Sequence, residues 1–142
     1  MADIFSPKKR SEIMSSIKGQ NTKIENITAK WLHSQGFRYV RNNKRLPGKP
    51  DITLTKYKTV IFVHGCFWHG HQPCKMSSLP STNTAFWEEK IAKNKERDQR
   101  NRIELEKAGW KVLTVWECEL KNMSEAEKRL LYLVNEITDP GN

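Results

Sequence analysis

"DITLTKYKTVIFVHGC" (residues 51–66) holds two runs of strand-type residues divided by a short polar break. "DITLT" (51–55) and "TVIFV" (59–63) are rich in β-branched side chains, with only Lys56, Tyr57 and Lys58 between them. That pattern predicts a β-hairpin. A hairpin sets the start of its first strand against the end of its second. Asp51 is therefore expected beside residues 63–64, and Asp51, His64 and the nearby His69 can converge.

Working outward, a polar loop follows residue 76. A long helix is expected from about Asn83 to Ala108, ended by Gly109, and "WKVLTVW" (110–116) reads as a further strand. A strand–helix–strand crossover is right-handed, so strands 59–63 and 110–116 should lie parallel. On the other side, "FRYVR" (37–41) reads as a strand and "NNKRLPGKP" (42–50) as a basic loop. Within that loop Pro50 should hold Lys49 extended.

Before it, Thr22 and Glu25 fit a capping box for a helix with Ile24, Ile27, Trp31 and Leu32 at helical spacing, stopped by Gly36. Residues 1–10 read as a basic arm. Residues 9–19 read as a short helix with Ile13, Met14 and Ile17 on one side. The tail from about Ser124 to Ile137 is a helix turned inward on Ala126, Leu130, Leu131 and Val134. The sum is an α/β chain with a mixed β-sheet flanked by helices, of a length that suits one domain over residues 1–142.

Hydrophobic residues make up 37% of the chain, enough for a moderate core. Lys and Arg number 25 against 16 Asp and Glu, a net charge of +9, which points to a polyanion such as nucleic acid. The N-terminus lacks the apolar run of a secretory signal, and no apolar stretch is long enough to span a bilayer. Three cysteines cannot all pair, and clustered Cys and His fit metal binding in a reducing cytosol.

The cluster is "VHGCFWHGHQPCKM" (63–76), which holds three of the four histidines and two of the three cysteines. If strands 59–63 and 110–116 are parallel they end at one sheet edge, so Cys66 and Cys118 meet there. Cys66, His71, Cys74 and Cys118 then form a Cys3His set suited to a closed, structural Zn2+ site. His69 could replace His71 by spacing. The alternative is three thiols buried for packing, but "HQPCK" is not core-like.

Ile91, Asp98 and Leu105 recur on one face of the long helix, beside Trp87 and Asn94. A carboxylate on such a face needs a partner, either an arginine or a histidine. Asp51 with backbone carbonyls and water makes a hard-oxygen site suited to Mg2+.

"NTKIE", "LPGKPDI", "VIFVHGCFWHGH", "FWEEKIAKNKERD" and "GWKVLTVWECEL" together resemble the very short patch repair (Vsr) endonucleases, in order from about Arg10 to Leu120. The resemblance implies a restriction-endonuclease-like fold of the PD-(D/E)XK superfamily with a structural zinc site. It implies Mg2+-dependent nicking of duplex DNA 5′ of the T in a T:G mismatch left by deamination of 5-methylcytosine. It makes Asp51 the metal-binding carboxylate and His69 the general acid/base paired with Asp98. His64 and Glu25 become supporting residues.

Two departures stand out. Val63 occupies a position where the family commonly has a Thr that binds metal through its carbonyl, so the backbone ligand is kept. The His71–Cys74 spacing is one residue longer than the family pattern. The lysine and second acid that follow the Asp in restriction-type sites are also absent after Asp51, which the resemblance to this family, unlike the wider fold, implies. By the same resemblance Phe67 and Trp68 are wedges between base steps, with Trp87 and, from the opposite groove, Met14 as further contacts. For Trp87 and Met14 core packing is the competing expectation, since both sit on apolar helix faces.

The resemblance also implies a cytoplasmic monomer. It implies a functional link to a cytosine-5 DNA methyltransferase, to mismatch-repair proteins and to a DNA polymerase. A restriction-type enzyme that cuts matched duplex and a zinc-stabilised DNA-binding module are the rival readings.

Overall fold

The computed structural model describes residues 6–18, 23–71, 74 and 78–139. Its elements are α1 (Pro7–Lys18), α2 (Ile24–Ser34), β1 (Val40–Arg41), β2 (Ile52–Leu54), β3 (Thr59–His64), α3 (Thr84–Lys107), β4 (Lys111–Trp116) and α4 (Met123–Thr138). The four strands form one sheet in the order β1-β2-β3-β4. The β1–β2 and β2–β3 pairs are antiparallel, and β3–β4 is parallel from Thr59↔Lys111 to His64↔Trp116. The hairpin and the parallel crossover expected from the sequence are both present. The hairpin turn is a 3-10 turn, Thr55–Tyr57, closed by Lys58 in the left-handed region (φ 51°).

Strand alternation splits the core. Ile52, Leu54, Ile61, Val63 and Val115 face a cluster completed by Met14, Trp31, Leu32, Leu130 and Leu133 from α1, α2 and α4. Val60 and Val112 face the other way and meet Leu105 of α3 together with Phe62 and Trp110. Side chains two residues apart share a face. Asp51 and Thr53 of one strand, and Phe62 and His64 of the next, thus belong to the α3 side. Most apolar burial lies under α1, α2 and α4. Of the 24 residues of α3 only Ile91 and Leu105 are buried. The helix therefore bridges the sheet at its ends and leaves space for polar chemistry between.

Several boundaries differ from expectation. The strand expected over 37–41 is reduced to Val40–Arg41. Phe37 instead closes the end of α2, its N–H donating to the Leu32 carbonyl at 3.1 Å, and its ring joins the core. Gly36, at φ 93°, provides the turn. The expected basic arm is helical from Pro7 on, and α1 is docked on α2 and α4. Met14 is fully buried by that docking. Lys23 takes the cap position of α2 with no side-chain cap; the capping box expected at Thr22 lies outside the described residues.

Lys49 is left-handed at φ 49°, not extended. Its N–H closes a turn onto the Leu46 carbonyl at 3.1 Å, while Asn43 and Pro50 pair across the loop at 3.1 Å. The tight loop overrides the preference set by Pro50. A non-glycine residue in this conformation costs about 1–3 kcal/mol.

Candidate active site and metal centre

The first group of side chains arises from unequal strand lengths. β2 begins at Ile52, opposite Ile61, so β3 runs on past it through Phe62, Val63 and His64. The backbone N–H groups of that overhang need acceptors. Asp51 supplies one, its Oδ2 accepting from Val63 N at 2.7 Å. Burial raises the Asp51 carboxyl above its ordinary value; the Val63 hydrogen bond opposes this and the neighbouring Glu25 charge adds to it. Glu25, in the first turn of α2, is therefore close enough to be felt at Asp51. Two carboxylates near each other at a strand end are hard-oxygen donors of the type a divalent cation takes.

His64 is the last residue of β3, on the α3 side, and is buried. Its ring stacks face to face on His69, with centroids 3.7 Å apart and planes within 5°. Burial, then the charge of His69, lower the His64 pKa to about 4. It is thus a neutral imidazole at neutral pH, and among the described residues its buried Nδ1 has no hydrogen-bond partner. His69 Nδ1 lies 2.6 Å from Asp98 Oδ2. Burial works against the Asp98 charge, but the hydrogen bond and charge of His69 outweigh it and hold Asp98 below the ordinary carboxylate value. Asp98 fixes the His69 tautomer: Nδ1 carries the proton and Nε2 is left to exchange one. The arginine alternative for Asp98 is secondary, since Arg97 lies 3.5 Å from its other oxygen.

A cleft of about 380 Å³ joins Asp51, Val63, His64, His69 and Asp98 with the loop residue Lys49. The fold thus brings together Asp51, Val63, His64, His69 and Asp98 of the predicted set, while Glu25 does not line this cleft.

The second group lies one turn further along. Parallel β3 and β4 end together, as expected, so Cys66 follows one and Cys118 the other. Cys118 sits in a short 3-10 turn, Glu117–Leu120. Ligand atoms of Cys66, His71, Cys74 and Cys118 all lie within 4.8 Å of one another. His71 Nδ1 is 3.5 Å from both Cys66 Sγ and Cys118 Sγ. The structure thus chooses His71 over His69 for this cluster. Burial, then the adjacent thiols of Cys66 and Cys74, push Cys118 up to about 12. Burial likewise raises Cys66, so these two thiols resist ionising without a cation, and the Cys3His donor set matches a closed tetrahedral Zn2+ site.

Trp116 ties the two groups together. It stacks on His71 at 3.9 Å and meets His64 edge-on at 5.2 Å. Sequence reasoning missed it, because a tryptophan ending a strand reads as core.

The third group is aromatic. Phe67 packs edge-to-face on Trp68 at 5.1 Å and on Trp87 at 5.4 Å. Trp68 is 50% exposed although Asn94 Nδ2 pins its carbonyl at 2.9 Å. Phe86 extends the row, 5.1 Å from Trp87 and 59% exposed, and was also missed. The "FW" pair at 86–87 was its only signal. Met14 is not brought to this surface. It lies buried in the core beneath α1, as the core-packing expectation had it.

A model of the family described as DNA mismatch endonuclease Vsr matches residues 2–76. The chain is 56% identical over 139 residues to the type II nicking enzyme V.NmeAIP of Neisseria meningitidis serogroup A, covering 98% of this chain and 99% of that protein. It is 42% identical over 130 residues to the type II nicking enzyme V.XorIIP of Xanthomonas oryzae, covering 92% and 95%. It is 46% identical over 121 residues to the DNA mismatch endonuclease Vsr of Escherichia coli, covering 85% and 77%.

Proposed function

From the premise that the chain belongs to the DNA mismatch endonuclease Vsr family, and is a DNA endonuclease, we propose that it nicks one strand of duplex DNA 5′ of the T in a T:G mismatch. The observation that carries this reading is the convergence of Asp51 with the stacked His64–His69 pair and Asp98 at one strand end.

The reaction is hydrolysis of one phosphodiester. A water oxygen bonds to phosphorus, the bond to the leaving sugar oxygen breaks, and that oxygen departs with the electron pair and takes up a proton. His69 Nε2 is the base that receives the water proton, while Asp98 keeps Nδ1 protonated and stabilises the imidazolium that results. His64, neutral and stacked on His69, holds that ring in place without adding a charge. Asp51 and the Val63 carbonyl are the residues to hold Mg2+, which when bound offsets charge on the phosphate and lowers the pKa of water. Glu25 supports Asp51 from α2. Cys66, His71, Cys74 and Cys118 hold structural Zn2+, which fixes the loop that carries His69.

Phe67, Trp68 and Trp87 present ring faces that can enter the stack at a mispair, where unstacking costs least. The substrate's origin in deaminated 5-methylcytosine ties the enzyme to a cytosine-5 DNA methyltransferase. Its nick is then a starting point for mismatch-repair proteins and a DNA polymerase. The protein is expected to act as a monomer, because a mismatch imposes no two-fold symmetry. The described residues include no helix long and apolar enough to cross a membrane.

The test uses end-labelled duplexes with one T:G mismatch in varied contexts, matched controls, and Mg2+ or EDTA. A single Mg2+-dependent nick beside the T is expected, with the matched duplex intact. Cutting of both strands in matched DNA replaces this reading with a restriction-type activity. An Asp51→Ala protein should bind the mismatched duplex and leave it whole; if wild type behaves the same way in every context, the protein is a binding module.

A further inference from the structure

Lys49 breaks a local rule at the mouth of the cleft. Among the described residues four non-glycine residues are left-handed: Asn42, Lys49, Lys58 and Asn83. Asparagine tolerates that conformation, and Lys58 closes a hairpin turn. Lys49 has neither excuse, and it also precedes Pro50, which disfavours helical backbone. Glycine would adopt φ 49° without strain. The fold does not use the lysine side chain. Lys49 is exposed, and among the described residues its ammonium makes no hydrogen bond or ion pair. A strained residue kept against its backbone preference, beside a reacting group, is a sign of function.

Charge balance says which function. Among the described residues two cations line the cleft, Lys49 and Arg97. The Arg97 guanidinium is engaged 3.5 Å from Asp98. Against them stand Asp51 and Asp98, with Glu25 close by. A phosphodiester entering this cleft adds a further negative charge. Lys49 is the cation not yet committed, carried on a flexible four-carbon stem. The loop that strains it also fixes its place: Gly48 (φ 77°) lies so close to α3 that a Cβ there would meet Asn101 Nδ2 at 2.9 Å.

We propose that Lys49 binds a non-bridging oxygen of the scissile phosphate and stabilises the charge that develops there during hydrolysis. This assigns a cationic role to the residue two before Asp51. The proposal rests on the endonuclease reading above.

The test compares wild type with Lys49→Gly, Lys49→Ala and Lys49→Arg. Single-turnover nicking is measured at saturating T:G duplex with Mg2+. Binding to the same duplex is measured in EDTA over a range of salt. Lys49→Gly should melt at or above the wild-type temperature yet nick roughly 10²-fold more slowly. Lys49→Ala should be equally slow, and Lys49→Arg should recover most of the rate. The slope of log Kd against log salt should fall by about one for Gly and Ala, and stay unchanged for Arg. A Lys49→Gly protein with wild-type rate and wild-type slope overturns the proposal, as does a slow Lys49→Gly with an unchanged slope. Should wild type nick no duplex, the endonuclease reading fails, and the salt slope still decides the phosphate contact.

Discussion

His64 and His69 are stacked imidazoles with different surroundings. His69 is anchored to a carboxylate, whereas His64 is buried against Phe62, Trp116 and the His69 ring. His64 therefore takes up a proton only near pH 4, against 6.5 ordinarily. The unfolded chain binds that proton first. The stability linked to neutral His64 is fully present above pH 6.5 and is lost as pH falls toward 4, by on the order of 3 kcal/mol at most. Melting temperatures of wild type and His64→Gln, measured from pH 7.5 to 4, should show wild type losing the greater share over that window. Parallel curves would mean that His64 titrates normally. At this scale the sequence pointed to side chains that the fold brings together, because histidines cluster in one short segment. It could not fix their partners, since Asp98 reaches His69 across 29 residues of chain.

Elements position these side chains through two junctions. One is the overhang of β3 past β2, capped by Asp51. The other is the parallel end of β3 and β4, where the turn bearing Cys118 departs. Arg129 of α4 clamps that second junction. Its Nε lies 3.1 Å from Glu119 Oε1, its other nitrogens reach Glu136 Oε1 and the Thr114 carbonyl at 2.9 Å each, and Glu119 in turn accepts from Trp116 N at 2.8 Å. Arg129→Met should destabilise the protein by about 2–3 kcal/mol in urea denaturation. A change below 0.5 kcal/mol would show that the clamp is worth no more than a surface pair.

The aromatic row belongs to the same scale, since loop residues Phe67 and Trp68 meet the start of α3. Trp68→Ala should leave the melting temperature nearly unchanged, because half of the ring is exposed. It should reduce nicking at a T:G duplex about 10-fold. A large drop in melting temperature with an unchanged rate would instead make Trp68 a packing residue.

Across the whole molecule, apolar burial and chemistry are segregated. The core under α1, α2 and α4 supplies stability, and the thinner α3 side supplies the cleft. The loop after β3 carries few buried apolar residues, and the Zn2+ proposed above would pin it. Stripping Zn2+ with a strong chelator should lower the melting temperature and abolish nicking, with both restored by Zn2+ but not by Mg2+; metal analysis should return one zinc per chain. Retention of stability and nicking by zinc-free protein would remove the structural role of the site.

The sequence by itself determined the hairpin, the long helix, the parallel crossover, and from these the meeting of Cys66 with Cys118 and of Asp51 with the end of β3. Those follow from residue type and period, which are local. Tertiary structure alone decided that His71 joins the thiols while His69 takes Asp98, and that docking of α1 buries Met14. It also decided that Phe37 closes a helix and does not begin a strand, and that Lys49 is bent left-handed against its proline. Each of these depends on where distant segments press together, and packing can override a local preference worth only a few kcal/mol.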